Sequence, residues 1–139
     1  MDDETDEAPY GSGPLEIRIA GEPTSLGVLR TVVSAHASAA GFDPDSIADL
    51  KLAVDEACTA LMVRLDSPGA ALAVVVDVQA DGMAIDVSTS GTVAGDPLEG
   101  FTGHVLNILA DDVKAYQVAV EGVSPITGMS MVFRPDSVG

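Results

Sequence analysis

Apolar residues recur along this chain in two rhythms. In LEIRIAG, Leu15, Ile17 and Ile19 alternate with Glu16 and Arg18, which predicts a half-buried strand. The following GEPTSLGVLRTVVSAHASAAG changes period. Leu26, Leu29, Val33 and Ala37 fall on one helical stripe, Thr24 or Ser25 is placed to cap it, and Gly41 to end it. After FDPDS, where Asp45 or Ser46 offers a cap, residues 47–65 predict one long helix. Its core stripe is Ile47, Leu50, Val54, Cys58, Leu61 and Leu65. At ~100° per residue, Glu56 lies roughly opposite that stripe with Ala53 and Ala60 beside it. Asp66, Pro68 and Gly69 stop the helix.

The second half is mostly strand. LAVVVDVQ and MAIDVS flank Ala80, Asp81 and Gly82, a hairpin signal. SGTVAGDPLEGFTG follows without apolar periodicity. HVLNILADDV then predicts a short amphipathic helix carrying Val105, Leu106, Leu109 and Val113. KAYQVAVEG and ITGMSMVFRP predict a second hairpin joined through Val123, Ser124 and Pro125. Two helical segments followed by strands that pair locally imply an α+β fold: a two-layer sandwich, helices on one face of a mixed, mostly antiparallel sheet. The Gly-rich loop before the third helix is the natural mouth of a pocket.

Length and composition narrow the function. A chain of 139 residues is sized for one domain with its own core. We assign that domain to residues 14–136, behind an acidic, disordered leader at 1–13. The leader lacks the basic and then apolar pattern of a secretory signal, and no apolar run is long enough to span a membrane. A single cysteine, Cys58, excludes an internal disulfide and suits a reducing cytoplasm. Because it lies on the apolar stripe, it reads as a core residue. Two histidines and one cysteine at scattered positions make no zinc site. Twenty-two acids against six bases give a formal net charge of -16, which repels phosphate backbones and argues against nucleic-acid binding. On charge alone the acidity is explained by solubility. The sharper reading is a protein partner with a basic surface. Asp55 and Glu56 are sequence neighbours, not a pair across a cleft, so glycosidase chemistry has no support. His104 reads as packing at a helix start, and Asp111 and Asp112 as anions at a helix C-terminus, an unfavourable place for them.

AVDEACT in the second helix, and HVLNILADDV after the Gly-rich loop, resemble the anti-sigma-factor serine kinases of the Bergerat-fold superfamily that includes histidine kinases and gyrase B. The resemblance runs from about residue 15 to residue 134. In that family a Glu on the second helix polarises the attacking group and an Asn one turn later holds magnesium. Glu56 matches the Glu, whereas Ala60 stands where the Asn belongs, and a methyl group cannot ligate a hard cation. The family's Asp-x-Gly box, whose carboxylate takes the adenine amino group, corresponds to Thr89-Ser90-Gly91. Its Gly-rich phosphate turn corresponds to Gly100-Phe101-Thr102-Gly103, with Thr102 in place of a glycine. The resemblance thus implies Glu56 as the catalytic position and Thr89, Gly91, Gly100, Thr102 and Gly103 as the nucleotide-contacting set. ATP would be held weakly and magnesium would lack a ligand.

The resemblance also implies a function carried by a protein surface: sequestration of an alternative sigma factor in the cytoplasm, by a homodimer, with release by an anti-anti-sigma factor. Arg30 matches the family Arg that grips both partners. Taken alone, Arg30 reads as solvated or paired within the chain, and Glu56 as an ordinary helix residue. The alternative function is an active ATP-dependent serine kinase that phosphorylates the antagonist, although fast phosphoryl transfer needs metal and phosphates positioned together.

Overall fold

The computed structural model describes residues 13–67, 69–119 and 121–134. The leader expected over residues 1–13 lies, except for Gly13, outside them. Strand β1 (Gly13–Gly21) leads through a 3-10 turn (Pro23–Ser25) into α1 (Leu26–Ala39). Neither Thr24 nor Ser25 caps this helix with its side chain. The preceding turn supplies the partner instead, the Leu26 N–H donating to Pro23 O, while the Thr24 hydroxyl donates to Glu22 Oε1 at 2.8 Å. Gly41 does end the element. It sits at φ 93°, and Phe42 N–H folds back to Ala37 O at 3.0 Å.

Helix α2 (Pro44–Met62) starts earlier than its apolar stripe suggests. Its cap is Asp43 rather than Asp45 or Ser46: the Asp43 carboxylate accepts from Asp45 N, Ser46 N and Ser46 Oγ, with Pro44 at the first helical position. The helix ends at Met62, so Leu65 is not helical; it forms an isolated antiparallel bridge with Val93. Leu50, Val54, Cys58 and Leu61 are fully buried as expected, but so are Ala53 and Ala57, and Ala60 is nearly so. A helix packed against the sheet and flanked by two other helices buries far more than one stripe. Alanines on its flanks leave room for those neighbours.

The remaining elements are β2 (Gly69–Gln79), β3 (Gly82–Ser90), α3 (Phe101–Leu109), β4 (Asp112–Val118) and β5 (Ile126–Phe133). Both predicted hairpins form. The sheet order is β1-β2-β3-β5-β4, and every pairing among the described strands is antiparallel. The two-layer α+β sandwich is therefore observed, and the sheet expected to be mixed but mostly antiparallel is antiparallel at every pairing among the described strands. Leu72, Val74 and Val76 on β2, Ile85 and Val87 on β3, and Met129 and Met131 on β5 point into the core under the helices.

Val113, expected on the third helix, belongs to β4 opposite Met131. Helix α3 ends at Leu109, so Asp111 and Asp112 lie outside it, with Asp112 opening β4. Asp111 instead donates its N–H to Val132 O and accepts the N–H of Arg134 at 2.6 Å. On the sheet face away from the helices, the Tyr116 ring lies across Gly128. Its hydroxyl reaches both Asp86 carboxylate oxygens at 2.9 Å, and Ser130 Oγ donates to Asp86 Oδ1 at 2.9 Å. A Cβ at position 128 would lie 2.5 Å from that hydroxyl, so only glycine admits the ring there.

Candidate functional site

Helix α2 presents two adjacent carboxylates to two different neighbours. Successive helical residues differ by ~100°, so Asp55 turns toward α1 and Glu56 toward α3. On the α1 side, Arg30 Nη1 donates to Asp55 Oδ1 at 2.9 Å and Oδ2 at 2.8 Å. The side chains keep 39% and 33% of their exposure, so the pair sits at the rim of the interhelical contact, in reach of solvent. Arg30 is thus paired within the chain. Asp55, which spacing alone left without a role, is its partner. The available signal was the short α1–α2 connection, which makes those helices antiparallel neighbours and sets a rare base beside an acid.

On the α3 side, Thr102 Oγ1 donates to Glu56 Oε2 at 2.8 Å. Two glycines make this approach possible. Gly100, at φ 74° and ψ -135°, turns the chain into α3 without a side-chain cap. Gly103 is buried against the preceding loop, where a Cβ would run into the Leu98 carbonyl oxygen. Glu56 and the Gly100, Thr102 and Gly103 turn, expected in two separate boxes, therefore meet at one junction.

Thr89 and Gly91 lie at the far end of β3. Thr89 is buried and its hydroxyl donates to Ala71 O at 3.0 Å, across to the neighbouring strand, not to the Glu56 junction. The Gly91 N–H donates to Pro125 O at 3.1 Å. Beyond them the loop is stitched to the end of α2. Asp66 N donates to Thr92 O at 3.2 Å, Ala94 N to Arg64 O at 2.9 Å and Arg64 Nη1 to Ala94 O at 3.1 Å, around the Leu65–Val93 bridge. Val93 is buried in the core and Leu98 packs against it. No sequence pattern announced this seam, because it joins two irregular segments.

The residues can now be tested against a magnesium nucleotide. Ala60 offers a methyl group and is itself only 4% exposed, packed into the core. The Thr89 proton is committed to a main-chain carbonyl. Glu56 is engaged by Thr102, and the seam draws the loop toward α2. These residues do not fit the group: a hard cation finds no oxygen at position 60, and the turn expected to cradle phosphates is tied through Thr102 to the Glu56 carboxylate. Cys58, buried on the same helix, has its thiol pushed up to about 12, by burial first and by the Asp55 charge second, as befits an unreactive core residue.

Residues 19–121 match the family described as a histidine kinase-like ATPase domain. The chain is 38% identical over 107 residues to the anti-sigma-F factor RsbW of Mycobacterium tuberculosis, a match covering 76% of this chain and 63% of that protein. Over 45 residues it is 47% identical to the serine-protein kinase RsbW of Bacillus velezensis, covering 32% of this chain and 28% of that protein. The chain thus spans less than two thirds of the length of the relatives it matches.

Proposed function

Because this chain belongs to the histidine kinase-like ATPase domain family, and because its α2–α3 junction does not fit a magnesium nucleotide, we propose that it works as a binding protein. In this reading it is an anti-sigma factor that sequesters an alternative sigma factor in the cytoplasm and releases it to an anti-anti-sigma antagonist, acting as a homodimer. The observation that carries the reading is Ala60. A buried methyl group occupies the one position on α2 from which the metal would be held, while the similarity to an anti-sigma-F factor extends over 107 residues. The -16 net charge favours a partner with basic surface and speeds the encounter.

Arg30 supplies a cation on this acidic surface. Its pairing with Asp55 orients the guanidinium, and the 39% exposure of the side chain leaves it within reach of a partner carboxylate. No helix among the described residues is long and apolar enough to cross a membrane.

The test is capture. The purified chain should retain a sigma factor from the cytoplasm of its source, and an Arg30→Glu variant should retain much less. Failure to retain any sigma factor would overturn the reading. A second reading, an active serine kinase, draws on Glu56, which is kept at the catalytic position, and on the local identity to a serine-protein kinase. Incubation with ATP, magnesium and the antagonist separates the two. Glu56-dependent phosphoserine on the antagonist would favour the kinase, and its absence the binder.

A further inference from the structure

The face where α2 and α3 run side by side carries apolar side chains that nothing in the described fold covers. Leu52 is 58% exposed, Phe101 74% and Ile108 69%. They belong to one ridge. Leu52 lies one turn before Glu56 and one turn after Asp49, hence along the flank that meets α3. Phe101 and Ile108 are seven residues apart on α3, with half-exposed Val105 between them on the same stripe. The Glu56–Thr102 hydrogen bond fixes one end of the contact. At the other end, Ile108 and Leu109 share a groove with Asp43, Asp45, Asp49 and Asp111, four carboxylates against the one cation of Arg134 in that lining. Large side chains exposed in a row, rather than singly, mark an interaction surface.

The charge of the surroundings selects the occupant. Asp45 and Asp49 at one end and Glu56 at the other rim the ridge with carboxylates, and the chain as a whole carries -16. We propose that this α2–α3 ridge docks a basic amphipathic helix of the protein partner, its apolar face on Leu52, Phe101 and Ile108 and its lysines or arginines on the acidic rim. A groove between two helices that presents apolar anchors at helical spacing is a recurring way of taking up such a segment. The inference rests on the reading that the chain acts by covering a partner protein, and it places a second contact on the opposite flank of α2 from Arg30.

The test uses the full chain and a fluorescently labelled peptide of about 18 residues, long enough to hold a helix on a surface. Leucines occupy positions i, i+3, i+4 and i+7, with lysines on both flanks. Anisotropy should rise on adding the chain. Affinity should fall about tenfold for Leu52→Ser and for Ile108→Ser, the loss expected from one buried aliphatic side chain, and stay within about twofold for Val28→Ser, an exposed change on α1. A glutamate-flanked peptide should not bind. Equal binding of a scrambled lysine peptide, or ridge variants that bind like the parent, would overturn the proposal. So would self-association that Ile108→Ser abolishes while the peptide stays unbound, because the occupant would then be a second copy. Sigma-factor capture is run in parallel with the same variants. Capture that survives both ridge substitutions would overturn the ridge and leave the anti-sigma reading standing. Peptide binding without any sigma capture would uphold the ridge and sink that reading.

Discussion

The Tyr116–Asp86–Ser130 cluster makes a prediction that can be read optically. Burial, then the hydrogen bond to Asp86, then the Asp86 charge push the Tyr116 hydroxyl from about 10 to about 12. The folded protein therefore keeps this proton at a pH where the unfolded chain has lost it. The sign follows: the contribution to stability is whole below pH 10, declines between pH 10 and pH 12, and is gone above. Fully felt, the difference corresponds to about 2.7 kcal/mol. The ring lies on the uncovered face of the sheet, where solvent screens the charges, and about 1 kcal/mol is the expected share. The chain contains no tryptophan and only two tyrosines, Tyr10 and Tyr116. In a Tyr10→Phe variant, tyrosinate absorbance near 295 nm thus reports Tyr116 alone. Its midpoint should lie near 12 and move part of the way back toward 10 in Asp86→Asn, which removes the charge but not the burial. Tyr116→Phe should flatten the decline of stability across the same window. A midpoint near 10 in the folded protein, indifferent to Asp86, would refute the reasoning.

Other consequences can be measured with single substitutions. Cys58 should resist a thiol reagent in the folded protein and react at once in denaturant; rapid labelling under native conditions would contradict its burial. Gly103→Ala should cost about 1–3 kcal/mol in urea unfolding, because the new methyl group must displace the Leu98 carbonyl. A double-mutant cycle on Arg30 and Asp55 should return a coupling of only about 0.2–1 kcal/mol, given the solvent access of both side chains; several times that value would make Arg30 a structural residue. Asp43→Ala should lower the melting temperature at neutral pH and make it less sensitive to acid. The Asp43 carboxyl is held below its ordinary value by the Ser46 hydroxyl and N–H, so its contribution is present above pH 4 and is lost as the pH falls below.

The helical stripes were legible because each burial is dictated by local spacing: Leu26, Leu29, Val33 and Ala37 on one helix, Leu50, Val54, Cys58 and Leu61 on the next, all buried. The hairpin about Gly82 was legible for the same reason. Boundaries were not. Leu65 continues the α2 stripe in spacing, yet a bridge to Val93, 28 residues on by number, draws it out of the helix. Val113 fits a helical pattern equally well and is taken by the sheet, where Met131 awaits it. Spacing does not single out Asp43 as the cap, because Ile47, the first residue of the apolar stripe, lies a full turn beyond it. At the site, the resemblance named Glu56 and Thr102 separately. Their hydrogen bond joins positions 46 apart, and the Arg30–Asp55 pair joins positions 25 apart. Such contacts depend on how helices cross, which no local pattern contains.

The seam between residues 64–66 and 92–94 has a kinetic meaning. It closes the chain into a loop that contains the whole β2–β3 hairpin, so freeing residues 92–98 requires breaking main-chain hydrogen bonds while the sheet stays intact. That is a local opening with a free energy of its own, below that of global unfolding. Amide exchange can separate the two: the Asp66 and Ala94 amides report the seam, and the Ile85 amide in mid-sheet reports the whole domain. Any ligand that needed this space would bind more weakly by the population of the opened form. Exchange of those two amides with the same free energy as the Ile85 amide would show that the loop opens only with the whole domain.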